Sequence, residues 1–591
     1  MACTRNSGRL VQKICMGSLW SALGLVILAV ANAQGGSWTW NGKGANDNWS
    51  CADNWTPAGP PASDNASALI FDGQSRTAPC QDLAAGFLFG KLQFATNAGS
   101  FHLGGTTNFL GQSAWRSLQF SGSNTSISVF GGGQLLIQGA LVTPDSAATQ
   151  TIAVAAGMQL QVPWIKGGVR RVVVKKGCGL LRIFEPADGQ CYLEKSSTVG
   201  PEYRVEDGVV ELGTRTNRMV LASSGNGWRT APAEVKASYN LTVGDGMGAA
   251  TSAVFRLMGP PQSQVIDNNL AITVNADGLL DLGGVQDWDP TGACCLLVSN
   301  GVVRTASNSV FVRNGRTLEL YGNARIEGDG CSAIRFYDGA TNQVDGLGTC
   351  AVMSASAALI QSANAAGVVF QVTGSTGDVV AFEVSGHLGA GGAGSHLVKR
   401  GVGTMAIANL THAVRTNRVE NGTLLLNGIS RCGSSSTGAQ WLVTAHATLG
   451  GCGIISNAPV VVQGGAIDPG DAAGGTLTIE QDLALASGST MIFDLTAVGP
   501  GTGRLHDQLV IQKGTLTGLS NATLRIDIHD HLNLDGQTFR IISGGGDLTG
   551  QTFQSVLVTG RSGRRAAVYA GNGFVDITVR NARAGTGVML R

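Results

Sequence analysis

Few residues in this sequence have the type and spacing for chemistry. In Asp527-Ile528-His529-Asp530-His531, strand alternation places Asp527, His529 and His531 on one side, and two imidazoles with a carboxylate form a facial metal-binding set. The same alternation turns Ile526, Ile528, Leu532 and Leu534 toward a core and leaves the polar set on the solvated face, so no metal and no cofactor are assigned. Glycoside hydrolysis needs two carboxylates roughly 5–10 Å apart in a cleft. Asp267, Asp287, Asp289 and Asp338 are available only singly, and no Asp-pair or Gly-His-Gly pattern of the polygalacturonase type is present. The many Gly-x-Gly strings are followed by no helix and no Gly-Lys-Ser/Thr, and no Gly-x-Ser-x-Gly elbow occurs. No catalytic residue is assigned. The remaining cluster is aromatic: Trp38, Trp40, Trp49 and Trp55 are four of the nine tryptophans after residue 33. Their rings could stack on sugars as a glycan-binding face, or fill the core of a cap.

The elements that must carry these groups are short strands. Gly is 86 of 591 residues while Pro is only 15 and the hydrophobic fraction is an ordinary 43%, a balance that fits many tight turns between apolar strands and not disorder. The segments Val129–Gly139, Val274–Gly284 and Val312–Gly322 each read as an alternating strand, a Gly-containing turn and a second strand. In each, G-G, D-G or N-G is expected to supply the positive φ of the turn. A longer repetition pairs Val174-Lys-Lys-Gly-Cys-Gly-Leu-Leu-Arg-Ile183 and Val205-Glu-Asp-Gly-Val-Val-Glu-Leu-Gly213 with Val398-Lys-Arg-Gly-Val-Gly-Thr-Met-Ala-Ile407 and Val419-Glu-Asn-Gly-Thr-Leu-Leu-Leu-Asn-Gly428. The first copy holds about ten more residues between its halves, as a loop projecting from one coil of a solenoid would.

At these residues the chain resembles the autotransporter-associated β-strand repeat proteins of bacteria, with their K-x-G-x-G-T-L-x-L and V-x-x-G-T-L-x-V-N-G units. Cys178 takes the variable position and Leu180 stands where Thr is usual. Ala447–Ile455, Gly465–Gly470, His506–Val510 and Gly536–Ile542 are similar to the family's later coils. The resemblance implies an all-β, right-handed, single-stranded parallel β-helix of the pectin lyase-like kind, displayed or released outside the cell, and no particular activity. No translocator barrel is expected, because only twelve residues follow the strand at Phe574–Val579.

Export is expected from the first residues. Arg5, Arg9 and Lys13 precede an apolar run from Leu19 to Val30 and then Ala31-Asn32-Ala33, the order of a signal peptide cleaved before Gln34. Without its three charges, 37 basic residues face 39 acidic ones, which disfavours a nucleic-acid partner. No later run is apolar enough to span a membrane as a helix. The expected organisation is signal peptide 1–33, Trp/Pro-rich cap 34–75 and solenoid 76–591.

Ten cysteines follow residue 33 without a Cys-x-x-Cys pair, so disulfides are expected and zinc is not. A solenoid brings together residues about one coil apart, which pairs Cys432 with Cys452 and Cys331 with Cys350, then Cys51 with Cys80 and Cys178 with Cys191. Cys294 and Cys295 stay unassigned. The expected function is a secreted or cell-surface structural and adhesive rod whose partners are polysaccharides or matrix components. A polysaccharide lyase or hydrolase on the same scaffold is the alternative. Coils of about 20 to 25 residues would stack into a rod of very roughly 100 Å.

Overall fold

The computed structural model describes residues 35–581 except 85, 105–117, 121, 123, 139–140, 143–147, 168–170, 185–191, 196–201, 214–220, 224–238, 259–269, 284–294, 306–309, 313–316, 329–333, 338–339, 361–366, 375–378, 391–395, 413–415, 433–438, 471–473, 500–502, 529–533 and 561–562. The signal peptide and the Gln34 cleavage site lie outside the described residues. Apart from two 3-10 turns, Ala52–Asn54 and Leu519–Asn521, every described element is a strand. The strands form a parallel β-helix.

Its coils have three faces. Thr149–Val154, Val172–Lys176 and Glu202–Val205 stack on the first face; Gln159–Val162, Leu180–Phe184 and Gly208–Gly213 on the second; Trp164–Gly167, Tyr192–Lys195 and Leu221–Ser223 on the third. Eighteen successive parallel pairings run along the first face among the described residues, from Ser37–Trp40 to Gln508–Thr517. At about 4.8 Å per pairing this ladder is about 85 Å long, and Thr538–Asp547 stacks a further layer on its last strand. Coil length varies with insertion: Trp441 stands opposite Val460, nineteen residues on, but Glu202 stands opposite Asn240, thirty-eight residues on.

Inward-facing side chains fill the lumen because alternate residues point to it. Along the first face Val205, Val243, Val274, Val298, Leu320 and Val344 lie on successive coils in register, and all are buried. Turn chemistry fixes the corners. Gly401 and Gly422 take positive φ in the second repeat copy, as Gly177 and Gly208 do in the first. At Asp277-Gly278 the expectation of positive φ is corrected: Gly278 is needed for room, since a Cβ there would run into the Val243 carbonyl of the preceding coil.

Both ends are closed by antiparallel pairing. Ser37–Trp40 pairs in parallel with Ala68–Phe71 and is flanked by Trp55–Thr56 in the opposite sense. The Trp/Pro-rich region therefore contributes the first two strands of the first face. At the other end Arg564–Asn581 folds back on Thr538–Asp547 and buries Val575, Ile577 and Val579.

Candidate functional site

The tryptophans resolve first. Trp40, Trp49 and Trp55 are buried, with Trp40 and Trp55 edge-to-face at 5.1 Å and Trp49 and Trp55 at 5.7 Å. Phe71 and Phe87 close the cluster. The Trp55 indole N–H donates to the Trp49 carbonyl at 2.9 Å, and that of Trp40 to the Ser75 carbonyl at 3.3 Å. Sequence reasoning missed Asn54, the buried residue that ties the loop together: its amide donates to the carbonyls of Asn46 and Asn48, and its oxygen accepts from the Gly44 N–H. Enclosed rings have no face left for a sugar, so the stacking-platform reading is corrected for Trp40, Trp49 and Trp55. Trp38 keeps part of its surface in solvent while packing against this core.

The two repeat copies share a device invisible in the motif. Lys175 occupies an inward position on the first face between Ile152 and Val205, and Lys399 the equivalent position between Phe370 and Val419. Both are buried. The Lys399 ammonium donates to the carbonyls of Arg400 (3.1 Å), Gly401 (2.7 Å) and, in the next coil, Asn421 (2.8 Å). Lys175 binds Lys176 (3.1 Å), Gly177 (2.5 Å) and Asp207 (2.9 Å) in the same way. Three carbonyls surround each amine and match the three N–H bonds of its protonated form, so each lysine links two stacked turns. Burial costs the charge, and pushes Lys399 down to about 7 and Lys175 down to about 8. The neighbouring exposed residues pair across coils in both copies, Lys176 with Glu206 at 2.9 Å and Arg400 with Glu420 at 2.6 Å.

The second face carries the largest organised charge feature among the described residues. In register on successive coils stand Arg182, Glu211, Arg256, Asp281, Arg304 and Glu327. A parallel in-register stack would repel if it repeated one sign, and here the sign alternates at every coil. Arg182 donates through Nε and Nη2 to Glu211 at 2.9 and 2.7 Å; Arg256 reaches Glu211 at 3.4 Å and Asp281 at 3.1 Å. Arg304 stands 3.9 Å from Asp281 and 3.5 Å from Glu327. Two of the acids lie deep, Glu211 at 10% and Asp281 at 12% side-chain exposure against 29% for Glu327, while the arginines stand out at 36% for Arg182 and Arg256 and 50% for Arg304.

Of the other sequence-predicted groups, Asp527 is described. Asp527 pairs with Arg525 at 2.7 Å and accepts from the Thr559 hydroxyl, while His529 and His531 lie outside the described residues. Ile526, Ile528 and Leu534 are buried as expected. Asp267, Asp287, Asp289 and Asp338 also lie outside the described residues. Among the described residues no group of three or more His, Cys, Asp or Glu could hold a metal ion, and no helix is long and apolar enough to cross a membrane. Among the described residues one carboxyl is strongly shifted: burial pushes Asp507 up to about 8. It accepts from the backbone N–H groups of Asp494 (2.8 Å) and Gly475 (3.1 Å), and so fastens the base of the hairpin Ser489–Gly499 and Gly503–His506. At 1% exposure it is a structural tie without access to a substrate.

The cysteine pairings are corrected where thiols are described. Cys51, Cys178 and Cys350 carry free thiols, so Cys51–Cys80, Cys178–Cys191 and Cys331–Cys350 are not bonded in this structure. Cys178 is spoken for otherwise: its thiol donates to Asp207 at 3.2 Å, which holds it above the usual thiol range. Cys191, Cys331 and the side chain of Cys432, the expected partner of Cys452, lie outside the described residues. No protein-family model matches the chain, and no curated protein is significantly similar to it.

Proposed function

We propose that this protein is an exported structural and adhesive rod of the autotransporter-associated repeat type, which holds polysaccharide or matrix surfaces without turning them over. The observation that carries this reading is the continuous core of the described coils. Among the described residues inward side chains fill the lumen from coil to coil, antiparallel strands flank the first and last coils, and the organised charged groups pair from one coil to the next. Such a design gives length and rigidity. Repeated surface along the axis suits weak multivalent attachment.

The test is to incubate purified protein with acidic and neutral polysaccharides and to follow retention together with new reducing or unsaturated ends. Retention without product is expected. Product formation that persists through repurification would establish the β-helix enzyme in its place.

A further inference from the structure

The charge ladder on the second face has more order than stability requires. Isolated exposed ion pairs contribute little, yet here six residues from six coils are joined into one row. Over its first five members the row is also asymmetric in depth, with Glu211 and Asp281 recessed between the guanidinium groups, while Glu327 at its end is 29% exposed. Each recessed acid holds its neighbours by part of their forks. Arg182 spends Nε and Nη2 on Glu211, which leaves Nη1; Arg256 spends Nη1 and Nε on Glu211 and Asp281, which leaves Nη2. Arg182 and Arg256 are thus held in place with one terminal nitrogen each left over, so part of the ordering entropy of a long side chain is already lost before any ligand arrives, while Arg304 is held more loosely, 3.9 Å from Asp281 and 3.5 Å from Glu327. Because the sign alternates, Arg182, Arg256 and Arg304 recur every second coil, about 9.6 Å apart.

We propose that this row is a docking track for an extended linear glycan bearing one carboxylate per disaccharide. One coil rise is close to the length of one sugar ring in an extended chain, so alternate sugars fall opposite alternate coils. The uronate carboxylates then meet Arg182, Arg256 and Arg304, and the uncharged sugars pass over Glu211 and Asp281. Planar guanidinium edges suit carboxylate geometry. A polymer charged at every sugar would set half its carboxylates over the acids, so the track discriminates by charge spacing as well as by sign. This assignment rests on the adhesive reading above and narrows it to one face and one class of polymer.

Retention of the wild-type protein is measured on an alternating uronate–hexosamine polymer, a polyuronate and a neutral glucan, with a single-stranded nucleic acid as competitor. The variants R256Q/R304Q and E211Q/D281N are run beside it, each checked by circular dichroism for intact β structure. The alternating polymer should be held best. R256Q/R304Q should weaken that retention by about tenfold or more, the size of one lost charge-assisted contact. E211Q/D281N should strengthen it, because the arginine charge is then no longer compensated. Opposite responses from two variants of the same row cannot come from loss of fold. Equal retention of polyuronate or nucleic acid, or no response to either variant, overturns the track. If the neutral glucan is held as well and both variants leave it unchanged, adhesion stands and this face is not its site; if no polymer is retained, the glycan-adhesive reading itself fails.

Discussion

The buried lysines concentrate the physics of the repeat. Replacing Lys399 by Met keeps the aliphatic packing but leaves the carbonyls of Arg400, Gly401 and Asn421 without their donor, which should cost about 2–4 kcal/mol. Chemical denaturation of K399M against wild type measures it. The loss should also depend on pH. Lys399 sits at about 7 in the fold, against about 10.4 in an unfolded chain. Between those values the unfolded chain holds a proton that the folded chain has released, so this group's contribution to stability rises with pH across the window and is flat below it. The wild-type advantage over K399M should therefore be larger at pH 9.5 than at pH 7. In the N-terminal tryptophan cluster, W49A should cost about 3–5 kcal/mol, as for other large buried rings, and should leave glycan retention per folded molecule unchanged. What was legible at this scale was the choice for the tryptophans between core and platform. The lysine was not legible, because a charged residue in Val-Val-Lys-Lys reads as the end of a strand, although Lys175 keeps the inward parity of Val173.

Single coils are the unit at the scale of elements. Their strands were readable from alternation and Gly turns, since these are local signals. The pairing of strands was not, because coil length varies with insertion: the ladder joins Arg182 to Glu211 across 29 residues but Glu211 to Arg256 across 45. No fixed spacing in the sequence reveals it, and only stacking places these side chains together. The same register makes a prediction. Excising residues 441–459 joins Gln440 to Val460, the residue that stands opposite Trp441 on the next coil. The shortened protein should fold, with an unchanged circular dichroism band shape and a cooperative melt. Excising only residues 441–450 shifts every following strand off its face and should abolish that melt.

For the molecule as a whole, the length of the rod is set by the number of coils and not by the number of residues. Residues inserted between faces add girth to a coil and no height, so coils as different as Trp441 to Val460 and Glu202 to Asn240 each add one strand spacing. Small-angle X-ray scattering on the chain from Gln34 onward tests this claim most directly. The expected result is an elongated particle with a coil stack of about 85 Å, an axial length that falls by about 4.8 Å when residues 441–459 are removed, and an unchanged cross-section. A near-spherical particle, or a cross-section that shrinks while the length stays the same, would contradict the solenoid and the function built on it.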